Sequence, residues 1–438
     1  MRPTPQAHKI RAVRGEAAPV ARSLAVVHAS ELLTLRGPRG PRIREAASEL
    51  GIIPDGAVYI EGERIADLGT TQEVLTRHPR AATTLDASGK VVLPGLVDAH
   101  THAIFAGSRA HEIEWKAQGL SYAEIAARGG GILHTMRATR DAEEAELVRL
   151  GVDRLLTFVS FGTTTVEVKS GYGLRTADEL KMLRAAAEAG RAAGVDVVPT
   201  FLGAHAVPPE YEGRSDAYVD LLLSETLLAV SLARGATFCD AFVDEGYFSV
   251  EQGRRLFEKA SALGLRPKVH ADEIADTGGA GLAAAVRAVS ADHVLRTSEA
   301  GMEAMAQAGV IATLLPATSL SSRVPYADGR RWIAAGVPVA LGTDFNPNCW
   351  CESMQLVIAL ACHHNGLLPA QAITAATINA AHAIGRGDEV GSLERGKLAD
   401  LLILDAPSYH HLGYRLGGDL AEAVVKRGRI RKGRALTR

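Results

Sequence analysis

Hydrophobic and polar positions along this chain of 438 residues follow two regimes. From about Ser23 to Leu93, short β-rich runs are broken by Gly and Pro, as where Ala57-Val58-Tyr59-Ile60 meets Glu61-Gly62-Glu63-Arg64. The same pattern returns in Ala399 to Asp405 and Ala423 to Ile430, so the two ends are expected to pair into one small β domain. Between them, apolar strand-like runs alternate with Ala-rich helical stretches such as Thr176 to Ala193 and Val250 to Leu263, the arrangement of a parallel sheet. Eight such strands can be marked: Leu96 to His102, Thr163 to Lys169, Val195 to His205, Thr237 to Asp244, Arg266 to Asp272, Ser290 to Val294, Val310 to Pro316 and Val337 to Asp344. Eight alternations predict an α/β fold built on a closed (β/α)8 TIM-like barrel over 94–385. A β-sandwich domain is expected from 23–93 plus 386–438, with 1–22 a disordered tail or a misassigned start rather than a transit peptide despite Arg2, Lys9, Arg11, Arg14 and Arg22.

Composition narrows the partners. Lys+Arg 48 against Asp+Glu 50 gives a formal charge of −2, so no global field favours nucleic acid or an anionic membrane. No apolar run approaches the roughly 18 residues of a membrane span. Cys239, Cys349, Cys351 and Cys362 are too few and too unevenly spaced for a disulfide framework, and Cys349 with Cys351 forms a lone C-x-C pair. A cytoplasmic protein acting on a small molecule is the expectation.

Barrel enzymes gather reactive groups at the C-terminal ends of their strands. Strand one ends in His100-Thr101-His102, whose i and i+2 positions share a face. Strand three ends at His205, strand five carries His270 with Glu273 three residues on, strand six carries His293 and strand eight ends at Asp344. An isolated His-x-His is more often a pair of structural histidines, but four strands ending in His and a fifth in Asp are hard to explain as packing. Neutral imidazoles with one carboxylate suit a borderline divalent cation, zinc before iron, so His100, His102, His270 and Asp344 are assigned as ligands. Such an ion lowers the pKa of bound water from ~15.7 to about 7. Asp344 and Glu273 are both candidates to relay the proton, and His293 is suited to hydrogen-bond the water or a developing oxyanion. His8, His28, His78, His363, His364, His382, His410 and His411 fall away from strand ends and read as structural or solvated.

The run Val91-Val92-Leu93-Pro94-Gly95-Leu96-Val97-Asp98-Ala99-His100-Thr101-His102 resembles the entry signature of the amidohydrolase superfamily. Ala103 to Arg109, Gly129-Gly130-Gly131-Ile132, Lys169 to Leu174, Phe201 to His205, His270 to Glu273 and Gly342 to Pro347 are similar to the imidazolonepropionase family in particular. That resemblance implies hydrolysis of the cyclic amide of 4-imidazolone-5-propanoate to N-formimidoyl-L-glutamate in histidine degradation, with one metal per subunit of a homodimer. It also implies that Arg109 and Tyr172 hold the substrate, with Arg109 opposite the propanoate, that His205 and Glu273 contact the ring, and that Asn346 contacts the open product. After Pro347 the run Asn348-Cys349-Trp350-Cys351-Glu352 departs from the Gly and small hydroxyl residues of many bacterial members and is closer to the animal form. The departure falls on Asn348 and Cys349, the further implied contacts to the product.

Three other readings stay open on the residues alone. A heterocycle deaminase would share the metal-site pattern but has no need of Arg109 for an aliphatic carboxylate. A two-metal cyclic amidase would want a bridging lysine at the end of strand four, where Asp244-Glu245 stands instead. A non-catalytic binding protein on this fold would have lost ligands that are all present here.

Overall fold

A computed structural model describes residues 23–120 and 122–433, so the expected N-terminal tail lies outside the described residues. All eight expected barrel strands form, in sequence order and parallel: Leu96–Asp98, Thr163–Lys169, Asp196–Ala204, Phe238–Val243, Arg266–Ala271, Ser290–His293, Ile311–Leu314 and Val339–Leu341. Strand one stops at Asp98, four residues short of the expected His102. The reason is the seam: beyond Asp98 the chain bonds to the segment following strand eight, with Asp344 N–H donating to His100 O at 3.0 Å and His102 N–H to Phe345 O at 2.8 Å. A parallel bridge between Thr101 and Phe345 completes this near-closure. The Asp98 carboxylate fastens the same seam, accepting from Thr343 N–H at 3.0 Å and Thr343 Oγ1 at 2.6 Å. Burial raises the Asp98 pKa to about 7.

The helices that separate the strands form where the sequence signals them. Thr176–Ala193 ends on Gly194 in the left-handed conformation, and Val250–Ala262 starts behind a capping box of Ser249 and Gln252. The short helix Ile378–Ala383 closes the floor of the barrel, its Ala380, Ala381 and Ala383 packing with Val97, Val198, Phe238, Ile311 and Ala340.

Among the described residues, strands from the two ends join in a second sheet of eight strands. Ser23–Leu33 pairs antiparallel with Ile52–Glu61, which pairs with Arg64–Thr70; Val91–Pro94 lies parallel to Ser23–Leu33 and antiparallel to Leu401–Leu404. Ala421–Lys426 and Arg429–Lys432 extend the sheet beyond Leu401–Leu404. Its apolar interior includes Leu24, Val26, Leu32, Val58, Ile60, Val92, Leu401, Ile403 and Val425. The chain crosses from this sheet into the barrel at Gly95, where a Cβ would lie 2.4 Å from Thr164 Oγ1, so no larger residue fits without displacing strand two.

Buried Asn379 ties the two parts together. Its Oδ1 accepts from Arg42 N–H at 2.6 Å, and its Nδ2 donates to Arg42 O and Val339 O, both at 2.9 Å. Asn379→Ala strands these backbone groups without partners and is expected to cost about 3 kcal/mol. A lowered urea midpoint at unchanged slope checks this; an unchanged midpoint would contradict it.

Candidate active site

The seam that closes the barrel also carries the site. His100 and His102 lie on the segment that pairs with 344–345, and their rings stand 5.3 Å apart. Asp344 follows strand eight with φ of 47°, a left-handed conformation that aims its carboxylate back at them. Its Oδ1 lies 3.5 Å from both His100 Nε2 and His102 Nε2, while its Oδ2 accepts from Thr318 Oγ1 at 2.6 Å. Ligand atoms of His100, His102 and His270 fall within 4.8 Å of one another, as do those of His100, His293 and Asp344. The four residues assigned as ligands from the sequence are therefore brought together, with His293 beside them.

The donor set suits a divalent cation. Among the described residues, His100 Nε2, His270 Nε2 and Asp344 Oδ1 are buried with no hydrogen-bond partner, a costly state for polar atoms unless something binds there. Burial holds His100, His102 and His293 well below the usual imidazole range, so they present lone pairs. The same cause raises Asp344 to about 6.

Carboxylates stand behind two of the rings. His100 Nδ1 sits 2.7 Å from Asp292 Oδ2, and His270 Nδ1 lies 3.0 Å from Asp240 Oδ2. At His100 the Asp292 carboxylate accepts the Nδ1 proton and leaves Nε2 as the ligand atom, whereas Asp240 stands beside His270 Nδ1 as a charge neighbor. These acids are in turn held by buried ammonium groups. Lys169 Nζ lies 2.8 Å from Asp240 and from Glu167 and 3.5 Å from Asp292, while Lys268 Nζ lies 3.3 Å from Glu167. Sequence reading missed all five residues. For three of them the signal was charge at a spacing of two within a barrel strand, Glu167 with Lys169 and Lys268 with His270.

The residues expected on the substrate side surround the same center. His205 stacks on His102 with centroids 5.0 Å apart, and Tyr172 lies 5.2 Å from His205. His205 Nδ1 is 3.0 Å from Gly171 O, a pure acceptor, so Nδ1 carries the proton and Nε2 the lone pair. Gly171 has φ of 104°, and a Cβ there would meet His205 Nδ1 at 2.9 Å, which accounts for a glycine before Tyr172. Buried Glu179, also unread in the sequence, clamps the loop by accepting from the N–H groups of Gly171, Gly173 and Leu174. Glu273 Oε2 lies 3.5 Å from His293 Nδ1, and burial with the neighboring Asp344 and Asp244 charges raises Glu273 to about 8. Asp244 shapes that loop by accepting from the N–H groups of Glu273, Ile274 and Ala275.

Arg109 is buried, with its guanidinium forked on Glu112 at 2.8 and 2.7 Å and reaching Asn348 Oδ1 at 3.5 Å. Glu112 also accepts from Gly131 N–H at 2.9 Å, which joins the Gly129-Gly130-Gly131 turn to Arg109. Asn346 is engaged in its own turn: Oδ1 accepts from the N–H groups of Asn348 and Cys349, and Nδ2 donates to Asp344 O.

Comparison with known proteins agrees with this geometry. A family described as "Amidohydrolase family" matches residues 91–431, and an "Imidazolonepropionase-like composite domain, bacteria" matches 56–81. The imidazolonepropionase of Symbiobacterium thermophilum is 52% identical over 412 residues, covering 93% of this chain and 96% of its own. That of Geobacillus kaustophilus is 48% identical, covering 93% and 98%. The chain belongs to the imidazolonepropionase family of amidohydrolases. Among solved structures, guanine deaminase of E. coli superimposes with a TM-score of 0.72 at 15% identity, covering 94% of this chain and 99% of that one. An adenosine deaminase from Xanthomonas campestris, solved with bound zinc, gives 0.65 at 19% identity over 94% and 93%. At such identities these neighbors show the barrel fold alone.

Asp292→Asn removes the charge behind His100 and is expected to weaken divalent-metal affinity by roughly 10–100-fold. Competition against a chromophoric chelator measures this, and an affinity equal to that of the unchanged protein would contradict the positioning role.

Proposed function

We propose that the protein hydrolyses the cyclic amide of 4-imidazolone-5-propanoate to N-formimidoyl-L-glutamate, the ring-opening step of histidine degradation. The observation that carries this is the convergence of unpartnered His100, His270 and Asp344 atoms on one buried center, beside Glu273 and His293, in a chain of this family. His100, His102, His270 and Asp344 would hold one divalent metal per subunit, zinc before iron. When bound there, such an ion supplies Lewis acidity and a more acidic water.

The chain's own groups do the rest. Asp344, beside the water, takes its proton as the oxygen adds to the ring carbonyl carbon. His293 hydrogen-bonds the developing oxyanion. Glu273 retains a proton to about pH 8 and gives it to the ring nitrogen as the C–N bond breaks. The proton held by Asp344 then restores Glu273. Tyr172 and His205 flank the ring, and Arg109 faces the propanoate side. A product contact at Asn346, Asn348 and Cys349 requires their closed turn to exchange partners, because both N–H groups already bind Asn346 Oδ1.

In the same reading, 94–385 is the catalytic unit and 23–93 with 386–438 a composite β unit. The enzyme is a cytoplasmic homodimer with neither nucleic acid nor membrane as partner. Its four cysteines are free, and no helix among the described residues is long and apolar enough to cross a membrane.

Loss of imidazolone absorbance on adding fresh 4-imidazolone-5-propanoate tests the reading. Turnover that collapses on chelation and returns with metal is expected; a metal-loaded protein that leaves this substrate intact but deaminates an aminated heterocycle would overturn it. Glu273→Gln is expected to lower kcat by roughly 10²–10⁴-fold. Steady-state kinetics with kcat within error of the unchanged enzyme would remove Glu273 from the mechanism.

A further inference from the structure

The buried fork between Arg109 and Glu112 raises a question of charge. A guanidinium held on a carboxylate at 2.8 and 2.7 Å is locally compensated, so the pair offers little net field to an anionic substrate arm. The next cation along is Lys116. It lies four residues after Glu112 on the helix Glu112–Ala117, hence on the same face. Its Nζ donates to Asn348 O at 3.2 Å and to Ser321 Oγ at 3.4 Å, and no salt bridge reaches it among the described residues. Burial, followed by the Arg109 charge, lowers its pKa, and the Glu112 charge opposes them.

The helix Pro316–Ser322 sets how far this ammonium stands from the chemistry. Thr318 bonds Asp344 Oδ2, and Ser321, three residues on, bonds Asn348 O, the atom that Lys116 also holds. Three residues of helix advance about 4.5 Å. A second path runs the same way: Asn346 Nδ2 binds Asp344 O, and Asn346 Oδ1 binds Asn348 N–H. The Asp344 end and the Lys116 end are therefore tied to neighboring turns of one helix, through Thr318 and Ser321.

We propose that Lys116 supplies the net positive charge that recognizes the substrate's aliphatic carboxylate, with the Arg109–Glu112 pair orienting that arm. This rests on the hydrolytic reading above and adds a specificity-determining residue to it. On substrate entry the carboxylate replaces Asn348 O or Ser321 Oγ as the partner of the ammonium, exchanging a neutral acceptor for a charged one.

The test compares 4-imidazolone-5-propanoate with its neutral carboxamide in the metal-loaded enzyme and in Lys116→Gln and Lys116→Arg. Gln keeps a neutral amide donor on the Asn348 side while the charge is lost. Lys116→Gln is expected to raise KM for the acid by about ten- to a hundred-fold, with kcat far less affected and KM for the carboxamide unmoved, and Lys116→Arg to restore most of the loss. Equal effects on acid and carboxamide, or no change in KM for the acid, would overturn the role of Lys116 while leaving the hydrolytic reading intact. An unchanged enzyme that hydrolyses neither compound would instead remove the hydrolytic reading, and this inference with it.

Discussion

Lys169 is shut off from water and touches three carboxylates, Glu167, Asp240 and Asp292, at 2.8 to 3.5 Å. Burying charged groups without partners costs several kcal/mol each, so these residues stand or fall together. Lys268 joins them through Glu167 and Asp292. Two ammonium groups against three carboxylates leave one negative charge beneath the histidines, and Asp344 adds a second above them. That residue of charge is what a divalent cation would neutralize, which is why the ligand cluster and the ionic cage below it form a single electrostatic unit.

The cage also explains how the fold serves the site. Asp292 and Asp240 each have one side on an ammonium and the other on an imidazole, so the strands that carry the lysines determine the orientation of His100 and His270. Above the cage, the seam between strands one and eight puts Asp344 at a positive φ, and His293 at the end of strand six has φ of 73°. Strained backbone at both positions is sustained by the packing around them, including Thr318 on Asp344 and Asp98 on Thr343. Arg154 supports the loop after His102 in the same manner, donating to Ala103 O and Phe105 O with its guanidinium 3.7 Å over the Phe105 ring.

The barrel was legible because buried parallel strands read as apolar runs between helices, and the histidines because they terminate those runs. The extent of strand one was not, since pairing after Asp98 passes to a segment more than 240 residues away, at Thr343. Glu167, Lys169, Asp240, Lys268 and Asp292 escaped notice for a different reason. A charge alternating with apolar residues ordinarily marks a solvent face, and only closure of the barrel makes that face an interior. Arg109 illustrates a third limit: its motif marked it for the substrate, but the fork with Glu112 depends on the loop's shape.

That His100 and His102 after strand one, His270 on strand five and Asp344 after strand eight hold one divalent metal is best checked by anomalous diffraction at the zinc and iron edges from crystals of the active protein. One strong peak per subunit is expected, within about 2.0–2.2 Å of the imidazole nitrogens of His100, His102 and His270 and of an oxygen of Asp344. A peak confined to other residues, such as Cys349 and Cys351, or no peak at all in protein that hydrolyses its substrate, would contradict it.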